Sequence, residues 1–235
     1  MNAVLTTHFL IEKRMDSSFI LNEIALLAIG MGIGILLNML MVNNIKRIKK
    51  NQLDVDKMIK ECVNNVAKLL ESKKDINNED IYIDTIPNEN INNCPEFEDL
   101  DDFLEDSLEA AYNNAKNTLL SDTKYHISYL DMRKHQVSIL KSMVEHINKV
   151  PTFIKQAQPL SYFLKKISYN FNEDNTAEEL LEEINSLKEI YRKEKLPSTR
   201  VEFENRAILF QLLIDIEIFL KTKNDFILEF GSDIE

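Results

Sequence analysis

Glycine is scarce. The 235 residues contain four, and three of them (Gly30, Gly32, Gly34) fall inside one apolar run, leaving Gly231 as the only other. Tryptophan is absent and prolines number 5. Sandwiches and barrels need many tight turns with positive φ, which glycine supplies, so a β-rich fold is excluded in favour of long helices joined by polar loops. Cysteine is equally sparse: Cys62 and Cys94 stand far apart and in no motif. That excludes a disulfide scaffold and reads as two thiols in a reducing compartment, with a single bridge as the minor alternative. Basic residues are outnumbered, 28 Lys and Arg against 39 Asp and Glu, for a net charge of -11. Lys13 and Arg14 against Glu12, Asp16 and Glu23 give residues 1–43 a balance of -1, so the other -10 falls after them. Such a domain repels phosphate backbones, which argues against nucleic acid as a partner.

Catalytic signatures are also missing. There is no Walker loop, no dinucleotide fingerprint, and no Ser/His/Asp or Cys/His set that can be assembled. His126, His135 and His146 fall on one helical segment without the spacings of a metal site and read as structural or surface; Asp131 and His135, four apart, are a candidate local pair. Glu96, Glu98, Asp99, Asp101 and Asp102 crowd a helix start, where acids favour the positive helix end. A calcium loop would need a glycine that this segment lacks. The expectation is a protein that is not an enzyme, with no catalytic residues, cofactor or metal.

What is present begins with Ile24–Val42, IALLAIGMGIGILLNMLMV, a run of 19 residues with no charge. At ~1.5 Å per residue it reaches about 28 Å, close to the ~30 Å hydrocarbon core of a bilayer. A buried helix of a water-soluble bundle keeps a polar face, and this one has none. A secretory leader would have its basic residues in front, whereas here Lys46, Arg47, Lys49 and Lys50 follow the run. By the positive-inside rule that cluster places the C-terminal side in the cytoplasm. Gly30 and Gly34 form a G-x-x-x-G pair, with Gly32 four after Ala28, a surface that suits close packing against another membrane helix. Asn38 suits either a hydrogen bond to such a helix or a place near the interface. Upstream, Ala3–Ile11 is apolar but too short to span and resembles the tail of an earlier membrane helix. Three regions follow: residues 1–22 as that tail with a short outer loop, 23–43 as the transmembrane helix, and 44–235 as a cytoplasmic helical domain.

Within the domain, Ile45, Ile48, Gln52, Val55, Ile59, Cys62, Val66 and Leu69 recur at three and four, one seam of a helix over 44–72. Residues 73–96 are polar and Asn-rich and read as a loop, with Ile81, Ile83 and Ile86 as a brief extended piece. Helices are expected over about 96–120 and about 124–150, the latter with two adjacent apolar stripes (Tyr129, Met132, Gln136, Ile139 and Leu130, Val137, Leu140, Ile147) that put it near the centre. A short helix over about 160–170 follows Pro159, and another runs over 176–195 with a capping box at Thr176 and Glu179. The last starts near Thr199, which forms a second box with Glu202. The fold class is all-α: a transmembrane helix continuing into an antiparallel cytoplasmic bundle.

Three segments, Asn22–Met41, Tyr129–Leu140 (YLDMRKHQVSIL) and Phe203–Leu220 (FENRAILFQLLIDIEIFL), resemble in order and spacing the bacterial aromatic acid exporter family. The resemblance implies the last membrane helix and cytoplasmic C-terminal domain of an efflux system for aromatic carboxylic acids. It implies membrane helices or further copies of the chain as partners. Arg133, Gln136, Glu204, Asn205 and Arg206 match the polar positions of these segments. They are expected either to tie helices together or to sense a ligand, with the tie preferred. A single span cannot enclose a pathway, so the competing reading is a free-standing, membrane-tethered interaction module.

Overall fold

The computed structural model describes residues 17–72, 95–117, 122–150, 155–172 and 175–231. They form six helices and no strand: α1 (Ser17–Ser72), α2 (Pro95–Asn117), α3 (Asp122–Asn148), α4 (Ala157–Tyr169), α5 (Glu178–Lys193) and α6 (Arg200–Phe230). The expected outer tail, the extended piece at Ile81–Ile86 and Cys94 lie outside the described residues. Two units are distinguished, Met1–Arg47 and Ile48–Glu235.

In the first unit only α1 is described. Leu21, Ile24, Leu26, Ile29, Met31, Ile33, Ile35 and Leu36 are all exposed. A Cβ added at Gly30, Gly32 or Gly34 meets open space, so the small-residue pair has no packing partner among the described residues. Side chains 37–44, Asn38 included, fall outside the described residues. Among the residues described, no helix is long and apolar enough to cross a membrane.

The second unit is an up-and-down bundle. The seam of α1 is buried at Ile48, Gln52, Val55, Ile59, Cys62 and Val66. Helix α3 takes the centre as its two stripes demand: Tyr129, Met132, Gln136, Ile139 and Met143 are buried, and so are Leu130, Val137, Leu140 and Ile147. It packs most extensively against α6 and α2. Hydrogen bonds give the directions. Along α3, partners on α6 descend from Phe219 at Gln136 to Asp215 at His146, so the two are antiparallel. Partners on α2 likewise descend from Glu105 at Lys134 to Asp101 at Lys141. Helix α1 runs parallel to α3, Gln52 meeting His126 and Asp56 meeting Arg133. Helix α4 is antiparallel to α1, its Ser161 and Ser168 donating to the carbonyls of Ala67 and Lys60.

Helix ends depart from expectation in two places. Pro159 lies inside the first turn of α4, where its missing N–H is not needed, so that helix begins three residues earlier than the apolar pattern suggests. At α5 the Thr176–Glu179 box does not form. Ala177 is the N-cap, with φ 63°, and no side chain caps the helix. Asn175 takes over the turn instead: its Oδ1 accepts from the Ala177 N–H and its Nδ2 donates to the Asn170 carbonyl. Asn chemistry of this kind competes with a Thr cap. At α6, Thr199 Oγ1 accepts from the Glu202 N–H at 3.1 Å, while Glu202 reaches back to the Ser198 N–H, one residue before the reciprocal partner of a capping box.

Candidate functional site

The polar residues of α3 converge on a buried network. Arg133 is fully buried, a position a guanidinium holds only when paired. Its Nη2 donates to Asp56 Oδ2 on α1 at 3.0 Å and to the Tyr129 hydroxyl at 2.8 Å. Its Nη1 donates to Gln136 Oε1 at 2.7 Å. Its Nε faces Asp56 Oδ1 at 2.8 Å, off the line of a good hydrogen bond, so that contact is chiefly coulombic. Tyr129 donates to Asp56 Oδ2 at 2.6 Å, and burial pushes the phenol pKa far up, keeping it a neutral donor. Gln136 passes the network on by donating to the Phe219 carbonyl of α6 at 2.9 Å. Four side chains thus join α1, α3 and α6.

Aromatic rings surround the cation. The guanidinium carbon lies 4.5 Å from the Phe171 ring centre and 4.9 Å from that of Tyr129, distances at which cation–π attraction acts. Lys223, 5% exposed, holds its ammonium 5.5 Å from the Tyr129 ring. Arg133, Gln136 and Lys223 line a cleft whose other walls include Phe171, Leu180 and Phe219. The cleft measures about 290 Å³, counting the part open to solvent. Ala177, the residue with positive φ, is buried among its lining residues.

The sequence-predicted positions divide. Arg133 and Gln136 are brought together at 0% exposure. Glu204, Asn205 and Arg206 lie elsewhere. Glu204 is exposed and pairs with Arg200. Asn205 is buried. Arg206 pairs with Glu202 and Glu194 and donates to the Lys195 carbonyl, tying α6 to the end of α5. The Lys46–Lys50 cluster is on α1, with Lys46, Arg47, Lys49 and Lys50 all exposed. Asp131 and His135 form no pair. Asp131 accepts from Tyr112 on α2 at 3.5 Å, whereas His146 contacts Asp215 on α6 at 2.7 Å. Sequence reasoning missed Asp56, Tyr129 and Lys223 as site residues. An acid one position past Val55 on the buried seam was the available signal for Asp56, and Lys223 amid Phe219, Leu220 and Phe226 was the signal for the ammonium. Among the described residues no group of three or more His, Cys, Asp or Glu could hold a metal ion.

An all-α bundle domain fastened at its centre by an arginine–aspartate–tyrosine–glutamine network is the class this architecture defines. Residues 46–224 match the family described as "Putative aromatic acid exporter C-terminal domain", and the chain belongs to it. It is 23% identical over 226 residues to the uncharacterised protein YqjA of Bacillus subtilis (strain 168), across 96% of this chain and 65% of that protein. The chain therefore spans just under two thirds of that relative's length. It is also similar to a solved structure titled "Crystal structure of putative membrane protein from Clostridium difficile 630". The TM-score is 0.65 at 28% identity, over 78% of this chain and 99% of that one. The family resemblance carried by the three sequence segments is borne out.

Proposed function

We propose that this chain is the C-terminal, membrane-anchored part of an exporter of aromatic carboxylic acids. Its helical domain lies on the cytoplasmic side and regulates, gates or oligomerises the transport part. The observation that carries the reading is the first half of α1: from Leu21 to Leu36 its large apolar side chains, all but the half-buried Leu27, are exposed around the helix. Soluble monomers rarely leave a contiguous apolar surface of that kind in water, and lipid removes the cost. The basic cluster at Lys46, Arg47, Lys49 and Lys50 supports the orientation. Gly30, Gly32 and Gly34, with none of the described residues against them, suit packing by a second copy or by other membrane helices. The polar interior is engaged in joining helices, which suits a domain that transmits or holds a conformation rather than an enzyme.

The test is extraction of membranes with alkaline carbonate, together with a reporter fused after Glu235 that is active on only one side of the bilayer. Retention in the membrane and a cytoplasmic reporter signal are expected; release by carbonate would refute the anchor. The second reading, a tethered interaction module, is favoured by the presence of one long apolar run in the sequence. Loss of aromatic acid efflux on deleting residues 48–235 separates the two, since the module reading leaves efflux unchanged.

A further inference from the structure

Two outer faces of the bundle carry opposite charge at the same height. On α1, Lys50, Leu53, Lys57, Lys60 and Lys68 are exposed at helical spacing and share one face. Asp56, the acid beside Lys57, is turned inward onto Arg133 and does not neutralise that face. None of the four lysines has an ion pair among the described residues, whereas Lys134, Lys141, Lys165, Lys166, Lys188 and Lys221 all do. On α2, Glu98, Asp102, Glu105 and Glu109 line one exposed face, with Asp99 and Asp106 along its edge. Of these six acids only Glu105 is paired among the described residues, with Lys134. Contacts to α3 set the heights. Asp56 meets Arg133, and Glu105 meets Lys134, the next residue along α3. Helix α1 runs parallel to α3 and α2 antiparallel to it. Lys57 therefore stands level with Glu105, Lys60 with Asp102 and Leu53 with Glu109. Leu53, 61% exposed, and Tyr112, 46% exposed and one turn past Glu109, give the two faces an apolar end on the same side.

We infer that a second copy of this chain docks here, the basic face of α1 in one copy lying against the acidic face of α2 in the other. Rotation about an axis along the bundle preserves height. It sets Lys57 beside Glu105 of the second copy, Lys60 beside Asp102, and Leu53 beside Glu109 and Tyr112, with the two helices antiparallel. Closed rotational symmetry of this kind is the usual form of a homo-oligomer. Rotated copies also keep Ile48 at the same end, as anchors in one bilayer require. A single exposed ion pair contributes little, but complementary charge over a whole face steers encounter and fixes register. Leu53 against Tyr112 supplies an apolar contact beside the charges. An anionic lipid surface answers the basic face alone and repels the acidic one at the same height. The inference deepens the oligomerising role proposed above, yet it stands on these two faces and not on the anchor. A chain released by carbonate that still pairs would sink the anchor alone.

The experiment mixes isotopically light and heavy full chain in a neutral detergent and treats it with a water-soluble carbodiimide, which condenses a lysine amine with a carboxylate in contact. Light–heavy peptides joining Lys57 or Lys60 to Asp102, Glu105 or Glu109 are expected, and about 0.5 M sodium chloride suppresses them. Charge reversal on α1 (Lys57→Glu, Lys60→Glu) or on α2 (Asp102→Lys, Glu109→Lys) lowers the yield of covalent dimer roughly tenfold, and mixing the two variants restores it. Lys193→Glu, exposed on α5, changes nothing. Leu53→Asp, at an exposed position, also lowers the yield and keeps the test open should a reversed chain fail to fold. Links found only within light or within heavy chains, wild-type yield in both reversed variants and in Leu53→Asp, or no recovery on mixing two folded variants would overturn the inference. So would an α1 reversal that abolishes binding to phosphatidylglycerol vesicles while dimer yield stays at wild type, because lipid would then occupy the basic face.

Discussion

Removing the Asp56 carboxylate tests the central network most directly. The two oxygens meet Arg133 Nε at 2.8 Å and Nη2 at 3.0 Å, and accept from Tyr129 at 2.6 Å. The Asp56 side chain is 12% exposed and that of Arg133 0%. In Asp56→Ala the stranded charge is therefore the one that cannot reach water. One-sided loss of a buried pair costs about 3–5 kcal/mol. In a domain of this size each kcal/mol lowers Tm by roughly 2–4 °C, so a fall of about 6–20 °C is expected. Removing both charges in Asp56→Ala, Arg133→Met eliminates the uncompensated ion. The double variant is expected to be more stable than Asp56→Ala alone by at least ~1 kcal/mol. Helical circular dichroism of the full chain in detergent, followed through heating, reads both. An Asp56→Ala melt within about 2 °C of wild type, or a double variant less stable than the two single losses added together, would refute the view that this pair fastens the bundle.

Further outcomes follow from other named contacts. The Lys188 ammonium on α5 bonds Glu217, with Lys221 beside it, and holds that carboxyl below the usual range. The pair's stabilisation is therefore complete above about pH 4.5 and lost as pH falls through the lower folded-state pKa; in acid titrations the gap in Tm between wild type and Glu217→Gln closes below that point. Ala177→Gly relieves the left-handed strain at the α5 cap and raises stability by up to ~1 kcal/mol, less what the buried methyl contributes, measurable by chemical denaturation. Thr199→Ala removes the acceptor for the Glu202 N–H and costs about 1 kcal/mol, with Thr199→Ser near wild type in the same assay.

The helices were legible because their signals are local. Apolar residues at three and four along Ile48–Val66, the double stripe of α3 and the polar breaks between them are all readable within one helical turn. So were the apolar run ending in Lys46–Lys50 and the family segments around Arg133 and Asn205. Ends were less secure where two local chemistries compete. Thr176 and Asn175 both offer a side-chain oxygen, and only the packed turn selects Asn175. The pairing of Asp131 with His135 was a sound local expectation, but the acid instead accepts from Tyr112, 19 positions away on α2.

The sequence by itself determined that this protein is helical, acidic and poor in tight turns, that one run suits lipid, and that Gln136 sits on an apolar stripe of a central helix. Each of these depends on composition or on spacing along the chain. Tertiary structure decided which residues answer the polar side chains of that helix. Asp56 lies 77 positions from Arg133 and Phe219 lies 83 from Gln136, and no periodicity reports a partner at such separation. The cleft, too, exists only once α3, α4, α5 and α6 are assembled, because its two cations and its apolar walls come from different helices.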